Sequence, residues 1–316
     1  MKRHKICKII LVILTVFLCV AFYELIGICI TYKKQPAVSD ATIKETQNIM
    51  SVAGRENTER AVIIEKNSQA LLERVRLIQN AKDEIILSTF AFKSDESGKL
   101  ILGALHDAAD RGVHVRILVD GMESWIDMEG NPYFYGLSSN ENVEIKLYNK
   151  ANPLKPWKTM GRMHDKYLIA DGKIYILGGR NTYNYFLGDF PGHKNFDRDV
   201  LVVCDEPQEE NSVNQLLEYF ETIWEQEDCS YFHNSKKLAD RKSVKNAVLE
   251  LQEGYQQYFD DNKERLCDTD YADETFETEK ITLLSNPIHT QAKEPVVWYQ
   301  LGELMKNAKE RVKIHT

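Results

Sequence analysis

The sequence predicts an α/β fold, with a mixed and largely parallel sheet flanked by helices and one transmembrane helix ahead of it. Three observations carry this reading. Residues 9–30 are almost continuously apolar, about the length that crosses a bilayer. From residue 61 to 120, apolar β-branched runs alternate with amphipathic ones, the strand–helix–strand pattern of parallel sheets. The 316 residues are 43% hydrophobic and 28% charged, enough to build a core for one or two domains.

Lys2, Arg3, Lys5 and Lys8 precede the apolar run and Lys33 and Lys34 follow it. The positive-inside rule then favours a cytoplasmic N-terminus and an extracytoplasmic body. A cleaved signal peptide is the competing reading, but the run is long for one and no small-x-small site follows. Glu24 suits a place near the outer interface better than an intramembrane partner site. Residues 1–34 are therefore expected to be an uncleaved, single-pass anchor in the cell membrane. Residues 35–60 are polar and read as a linker or short helix.

The folded body begins with a short strand at 61–64 and an amphipathic helix at 68–80, with Ser68 as its N-cap. A buried strand at 84–92 and a helix at 98–111 ending before Gly112 follow, then a strand at 113–120. In such sheets ligands gather at the carboxyl ends of strands, which makes Asp120 and residues 92–95 candidate lining. Residues 121–142 read as a loop. Its Trp125, Tyr133, Phe134 and Tyr135 either touch lipid headgroups or pack beneath it. After a strand at 143–149 and a Pro-containing stretch to Gly161, two apolar runs at 167–170 and 174–177 flank Asp171-Gly172, a hairpin signal. A loop at 188–199, a core strand at 200–204 and an amphipathic helix at 213–224 come next. Residues 230–280 read as helical and acidic, covering the sheet or joining two halves.

Chemistry concentrates in the hairpin. The pattern His164-x-Lys166-x4-Asp171-x6-Gly178-Gly179-x-Asn181 puts an imidazole and an ammonium two residues apart on extended backbone, hence on one face. Gly178 and Gly179 permit close backbone approach to a bound group, and Asn181 supplies a donor. Such a set suits attack on a phosphodiester, with His164 as nucleophile and Lys166 stabilising the equatorial oxygens. Charge agrees: residues 143–173 hold seven Lys/Arg against three Asp/Glu on a chain of net charge −8. The acidic total argues against a nucleic-acid partner. Of the six cysteines, Cys7, Cys19 and Cys29 lie in or beside the apolar run; Cys204, Cys229 and Cys267 show no C-x-x-C or Cys/His metal spacing, and a Cys229–Cys267 disulfide stays open.

These residues resemble the HKD motif of the phospholipase D superfamily, with Gly179 where many members carry Ser. The phrase from Arg162 through Asn181 to Tyr185-Phe186 is most similar to bacterial cardiolipin synthases of the C-type branch. Asp95-x-Ser97-Gly98, and the run from Leu105 through Arg111-Gly112 to Asp120, are similar to the superfamily's first repeat. The resemblance implies a phosphohistidine on His164, with Lys166 and Asn181 holding the phosphate and Asp171 positioning the hairpin. It also implies that Asp197 and Asp199 order the site, that Asp199 with Gly178 and Gly179 belongs to the substrate-binding set, and that neither metal nor cofactor is needed. Tyr183-Asn184 stand where the family often has a carboxylate, which bears on acceptor choice.

Residues 76–89 align without gaps on 303–316, with Leu77, Asn80, Ala81, Lys82 and Thr89 identical to Leu304, Asn307, Ala308, Lys309 and Thr316. Residues 61–280 thus read as a first repeat and 281–316 as the start of a second. The offset of 227 (303 − 76) carries His164 to position 391, past Thr316. The general acid for the leaving alcohol is therefore expected from a second motif, in a longer chain or in another subunit. The expected activity is phosphatidyl transfer between phosphatidylglycerol-like lipids. The alternatives are phosphodiester hydrolysis, as by a phospholipase D or nuclease, and an inactive anchored scaffold.

Overall fold

The computed structural model describes residues 2–51, 59–233 and 235–314. Helix α1 (Lys2–Tyr32) and α2 (Asp40–Ser51) lead into β1 (Glu59–Ile64), α3 (Asn67–Asn80), β2 (Glu84–Thr89), α4 (Glu96–Asp110) and β3 (His114–Asp120). Two short helices, α5 (Gly121–Asp127) and α6 (Pro132–Ser138), precede β4 (Val143–Tyr148) and a 3₁₀ turn at Pro156–Met160. The hairpin β5 (Tyr167–Ala170) and β6 (Ile174–Gly178), then β7 (Asp199–Cys204) and α7 (Ser212–Trp224), complete the centre. β8 (Cys229–Tyr231), α8 (Lys236–Ala239), α9 (Lys242–Leu266), β9 (Phe276–Glu277) and α10 (Val296–Asn307) follow.

Among the described residues nine strands form one sheet in the order β8-β4-β3-β2-β5-β6-β7-β1-β9. The sheet is mixed and helix-flanked, as expected, but its parallel share is small. Only β4-β3-β2 run parallel, joined by the crossovers through α4 and through α5–α6. The β2–β5, β5–β6, β6–β7 and β7–β1 pairs are antiparallel. The expectation of a largely parallel sheet fails because a hairpin and its return strand pair directly, with no helix between to reverse direction.

Period-two alternation sorts the strands between two cores. Ile85 and Leu87, Val115 and Ile117, Leu168, and Leu201 and Val203 face one side, against α3, α4, α6 and α9. Ile86, Leu118, Tyr167, Ile169, Val202 and Cys204 face the other, where α7 lays Val213, Leu216, Phe220 and Trp224 across them. The long helix α9 accounts for the helical part of residues 230–280, while six of the acidic residues, Asp268 to Glu279, follow it in loops, turns and β9. Helix α9 approaches α4 so closely that a Cβ on Gly103 would lie 2.7 Å from the Leu251 carbonyl.

Several local expectations shift. Helix α3 starts at Asn67 with Lys66 in the cap position and no side-chain cap, so Ser68 is not the N-cap. Residues 121–142 are not a loop: Asp120 caps α5 through Met122 N and Asn131 caps α6 through Tyr133 N. Phe134 and Tyr135 are buried in the core, which leaves Trp125 the exposed aromatic of that stretch. The edge strands β8 and β9 went unseen because each has three residues or fewer. Cys229 and Cys267 are free thiols. The helix α1 is long and apolar enough to cross a membrane. Of the expected linker, residues 52–58 lie outside the described residues, as does the last part of the repeat, His315 and Thr316. Within the repeat, α10 ends at Asn307, 227 positions after the Asn80 that ends α3.

Candidate active site

Extended backbone carries the motif into β5. His164 and Lys166 precede that strand rather than lie in it, at the end of the sheet where the parallel strands β2 and β3 finish. Asp120, at the end of β3, is fully buried and does not line a cleft as expected. It pairs with Arg162 and accepts from Met163 N at 3.2 Å, fixing the two residues before His164. On the other side of the segment, Gly178 N donates to Lys166 O at 3.1 Å, prolonging the hairpin past β5.

His164 is exposed, while Lys166 is 6% exposed with its Nζ 2.7 Å from the His164 carbonyl oxygen. Phe90, just after β2, lies against both. Its ring meets the imidazole edge-on at 4.7 Å between centroids, and Lys166 Nζ lies 5.4 Å from its centre. Burial and the Lys166 charge hold the His164 pKa below the ordinary imidazole value, so the ring is neutral at pH 7 and its lone pair is free. Burial lowers Lys166 to about 8, against the opposing pull of Asp165 and Asp197. A neutral imidazole beside a cation of modest pKa is the state nucleophilic attack on a phosphodiester needs.

The cleft at His164 has a volume of about 400 Å³. Lys166, Gly178 and Leu177 line it, as does Lys293 from the segment before α10. Asp165, between the two motif residues, accepts a hydrogen bond from Tyr219 of α7 at 2.8 Å. Burial pushes the Asp165 carboxyl up, and Tyr219 and the positive charges of Lys166 and Lys293 counter it.

The remaining sequence-derived residues do not line this cleft. Asn181 is buried, its Oδ1 accepting from Ala91 N at 3.1 Å, which leaves its amide NH₂ as the donor group. Gly179 admits the Asp197 carboxylate, and Gly178 the backbone of Arg198 and Asp199, where a Cβ would lie 2.5 Å from Arg198 O. Asp199 is 2% exposed and sealed between Arg74 at 2.9 Å and Arg180 at 3.1 Å, so the expectation that it binds substrate gives way to a buried ion-pair cluster. Asp171 sits in the β5–β6 turn with φ +51°, at the far end of β5 from Lys166. Its carboxylate accepts from Lys82 N, Asp83 N and Glu84 N at 2.8 to 3.0 Å, tying the hairpin to the entry of β2. It does not join His164 and Lys166.

Sequence reasoning missed Phe90, Tyr219, Lys293 and the Arg74–Asp199–Arg180 cluster. Phe90 merged into an apolar run. Tyr219 lies 54 positions from Asp165, Arg74 125 from Asp199 and Lys293 129 from His164, where spacing carries no signal. Asn184, in place of the family's carboxylate, accepts from Ser97 N at 2.8 Å while its own N–H donates to Asp95, tying the post-motif loop to the start of α4.

The family described as cardiolipin synthase, PLD-like domain, matches residues 75–224, from α3 through α7. An uncharacterized protein of Helicobacter pylori J99 is 32% identical over 207 residues, covering 60% of this chain and 38% of that one. Cardiolipin synthase C of Escherichia coli K12 is 28% identical over 171 residues, 50% of this chain and 34% of that one. This chain thus spans less than two fifths of these relatives. Among solved structures, Nuc from Salmonella typhimurium, titled a phospholipase D family member, is similar over 56% of this chain and 99% of that one, with a TM-score of 0.39 and 18% identity. With the His-x-Lys pair on its strand entry and the matched sheet around it, residues 75–224 form a PLD-like domain similar to that of cardiolipin synthases.

Proposed function

We propose that the protein transfers a phosphatidyl group between phospholipids, as a cardiolipin synthase does, from a body anchored to the membrane by α1. The observation that carries this is the pairing of an exposed neutral imidazole with a buried ammonium at one cleft. In this reading His164 attacks phosphorus, and a P–N bond forms as the P–O bond to the first lipid alcohol breaks. Lys166 neutralises the charge gathering on the equatorial oxygens, with the Asn181 amide as a further donor. A His of a second motif, in a longer form of the chain or another subunit, protonates the departing alcohol. The hydroxyl of a second lipid then attacks phosphorus, gives its proton to that His and releases His164. Asp171, Gly178, Gly179 and Asp199 shape the hairpin that presents the pair. No metal or cofactor enters the scheme. Positive-inside charge at Lys2, Arg3, Lys5 and Lys8 supports an extracytoplasmic body.

The test is the lipid content of cells lacking cardiolipin that express the complete protein or its His164→Ala variant. New diphosphatidyl lipid with the wild type and none with the variant is expected. An equal lipid profile in the two sinks the transferase reading, and accumulation of phosphatidic acid instead assigns the chemistry to hydrolysis.

A further inference from the structure

We propose that the 3₁₀ turn Pro156–Met160, with Leu154 just ahead of it, inserts into the bilayer beside α1 and turns the mouth of the His164 cleft toward lipid. This rests on the reading of α1 as a membrane span. Singly exposed apolar residues are ordinary on protein surfaces. What sets these apart is where they are attached. Leu154 is 78% exposed and Met160 60% exposed. The stretch between them is fastened to the apolar helix itself. Tyr23 Oη donates to the Leu154 carbonyl at 3.1 Å, and the Tyr23 and Trp157 rings meet edge-on at 5.7 Å. Gly27 makes room for the indole, since a Cβ there would lie 2.5 Å from Trp157 Cε3.

The level of these contacts follows from helix geometry. Tyr23 stands seven residues before Ile30, the last of the apolar run, so the contact lies about 10 Å short of that end along the axis. If the run fills the hydrocarbon core, Leu154 and Trp157 are below the outer surface of that core. If the boundary falls instead at Tyr23-Glu24, they lie in the interface, where Trp and Tyr rings are favoured. In either case a spanning α1 carries the turn to the hydrocarbon core or to its headgroup boundary. Lys155 beside Trp157 can extend its ammonium to headgroup phosphates while its stem stays apolar. Met160 is four residues before His164, so the inserted turn and the nucleophile share one short segment. A phosphodiester at the membrane surface would then reach His164 without leaving the bilayer.

Photo-crosslinking tests this without any readout of activity. The photoreactive residue p-benzoylphenylalanine replaces Leu154, Met160, Phe17 within α1, or Leu249 on α9, which is 56% exposed. Each full chain is reconstituted in phosphatidylglycerol–phosphatidylcholine vesicles, irradiated and analysed by mass for lipid adducts. The expected result is an adduct yield at positions 154 and 160 at least about tenfold above that at 249 and close to that at 17, as for an interfacial segment. Adducts at 17 with yields at 154 and 160 no higher than at 249 overturn the proposal and leave the anchor standing. No adduct at any of the four positions removes the anchor and the proposal together. Phosphatidyl transfer is judged separately by the His164→Ala lipid comparison.

Discussion

Replacing Asp171 by Ala separates scaffolding from chemistry. From Lys166, the turn is five residues away along β5, about 17 Å at strand spacing, too far to touch a phosphate held by His164. The carboxylate instead accepts three backbone N–H groups at the entry of β2. Hydrogen bonds to a charged acceptor contribute about 1.5–3 kcal/mol each. The N–H groups of Lys82 and Asp83 are open to water and recover most of that loss, whereas that of Glu84 is partly buried. The left-handed φ of +51° adds about 1 kcal/mol for Ala, a conformation Asp tolerates better. The sum is about 3 kcal/mol, or a melting temperature lower by roughly 6–12 °C for a body of this size. Asp171→Asn, which keeps an acceptor oxygen and tolerates the turn, should lose about 1 kcal/mol. Thermal unfolding in detergent, paired with turnover of the complete protein measured below both transitions, makes the comparison. A variant that unfolds like the wild type yet loses turnover by orders of magnitude would refute the scaffolding role.

Two further outcomes follow from the same geometry. Asp199→Asn leaves the buried Arg74 and Arg180 without their shared counter-charge and should cost about 3–5 kcal/mol in urea unfolding; a loss under about 1 kcal/mol would show that the cluster is solvated. The kcat/KM profile of the complete enzyme should be bell-shaped. On the acid side, activity falls as the His164 ring takes a proton, and because its pKa is lowered the loss sets in below the usual histidine range. On the alkaline side it falls as Lys166 loses its proton, near pH 8. An alkaline limb that Lys166→Arg leaves in place would dissociate that limb from the Lys166 ammonium.

The sequence by itself determined the local chemistry and most of the strands. Period-two runs such as Ile85-Ile86-Leu87 and Leu201-Val202-Val203 sort unaided between two covered faces, because both faces are apolar. Asp171-Gly172 at positive φ makes the turn its composition announces, and the two-residue spacing of His164 and Lys166 brings them to one cleft. Tertiary structure decided what surrounds them. Sheet order and the antiparallel majority depend on which strands find each other, not on any strand's own residues. Sequence leaves open whether Phe134 and Tyr135 meet lipid or pack inward, and α6 decides it by folding them into the core. Asp199 reads as a site carboxylate until Arg74, 125 positions away, and Arg180 close over it. Burial also sets the pKa values of His164 and Lys166, and burial comes from partners such as Phe90 that only the packed sheet delivers. Identity of the reactive groups is local, whereas their protonation, their exposure and their company depend on contacts between residues far apart in the chain.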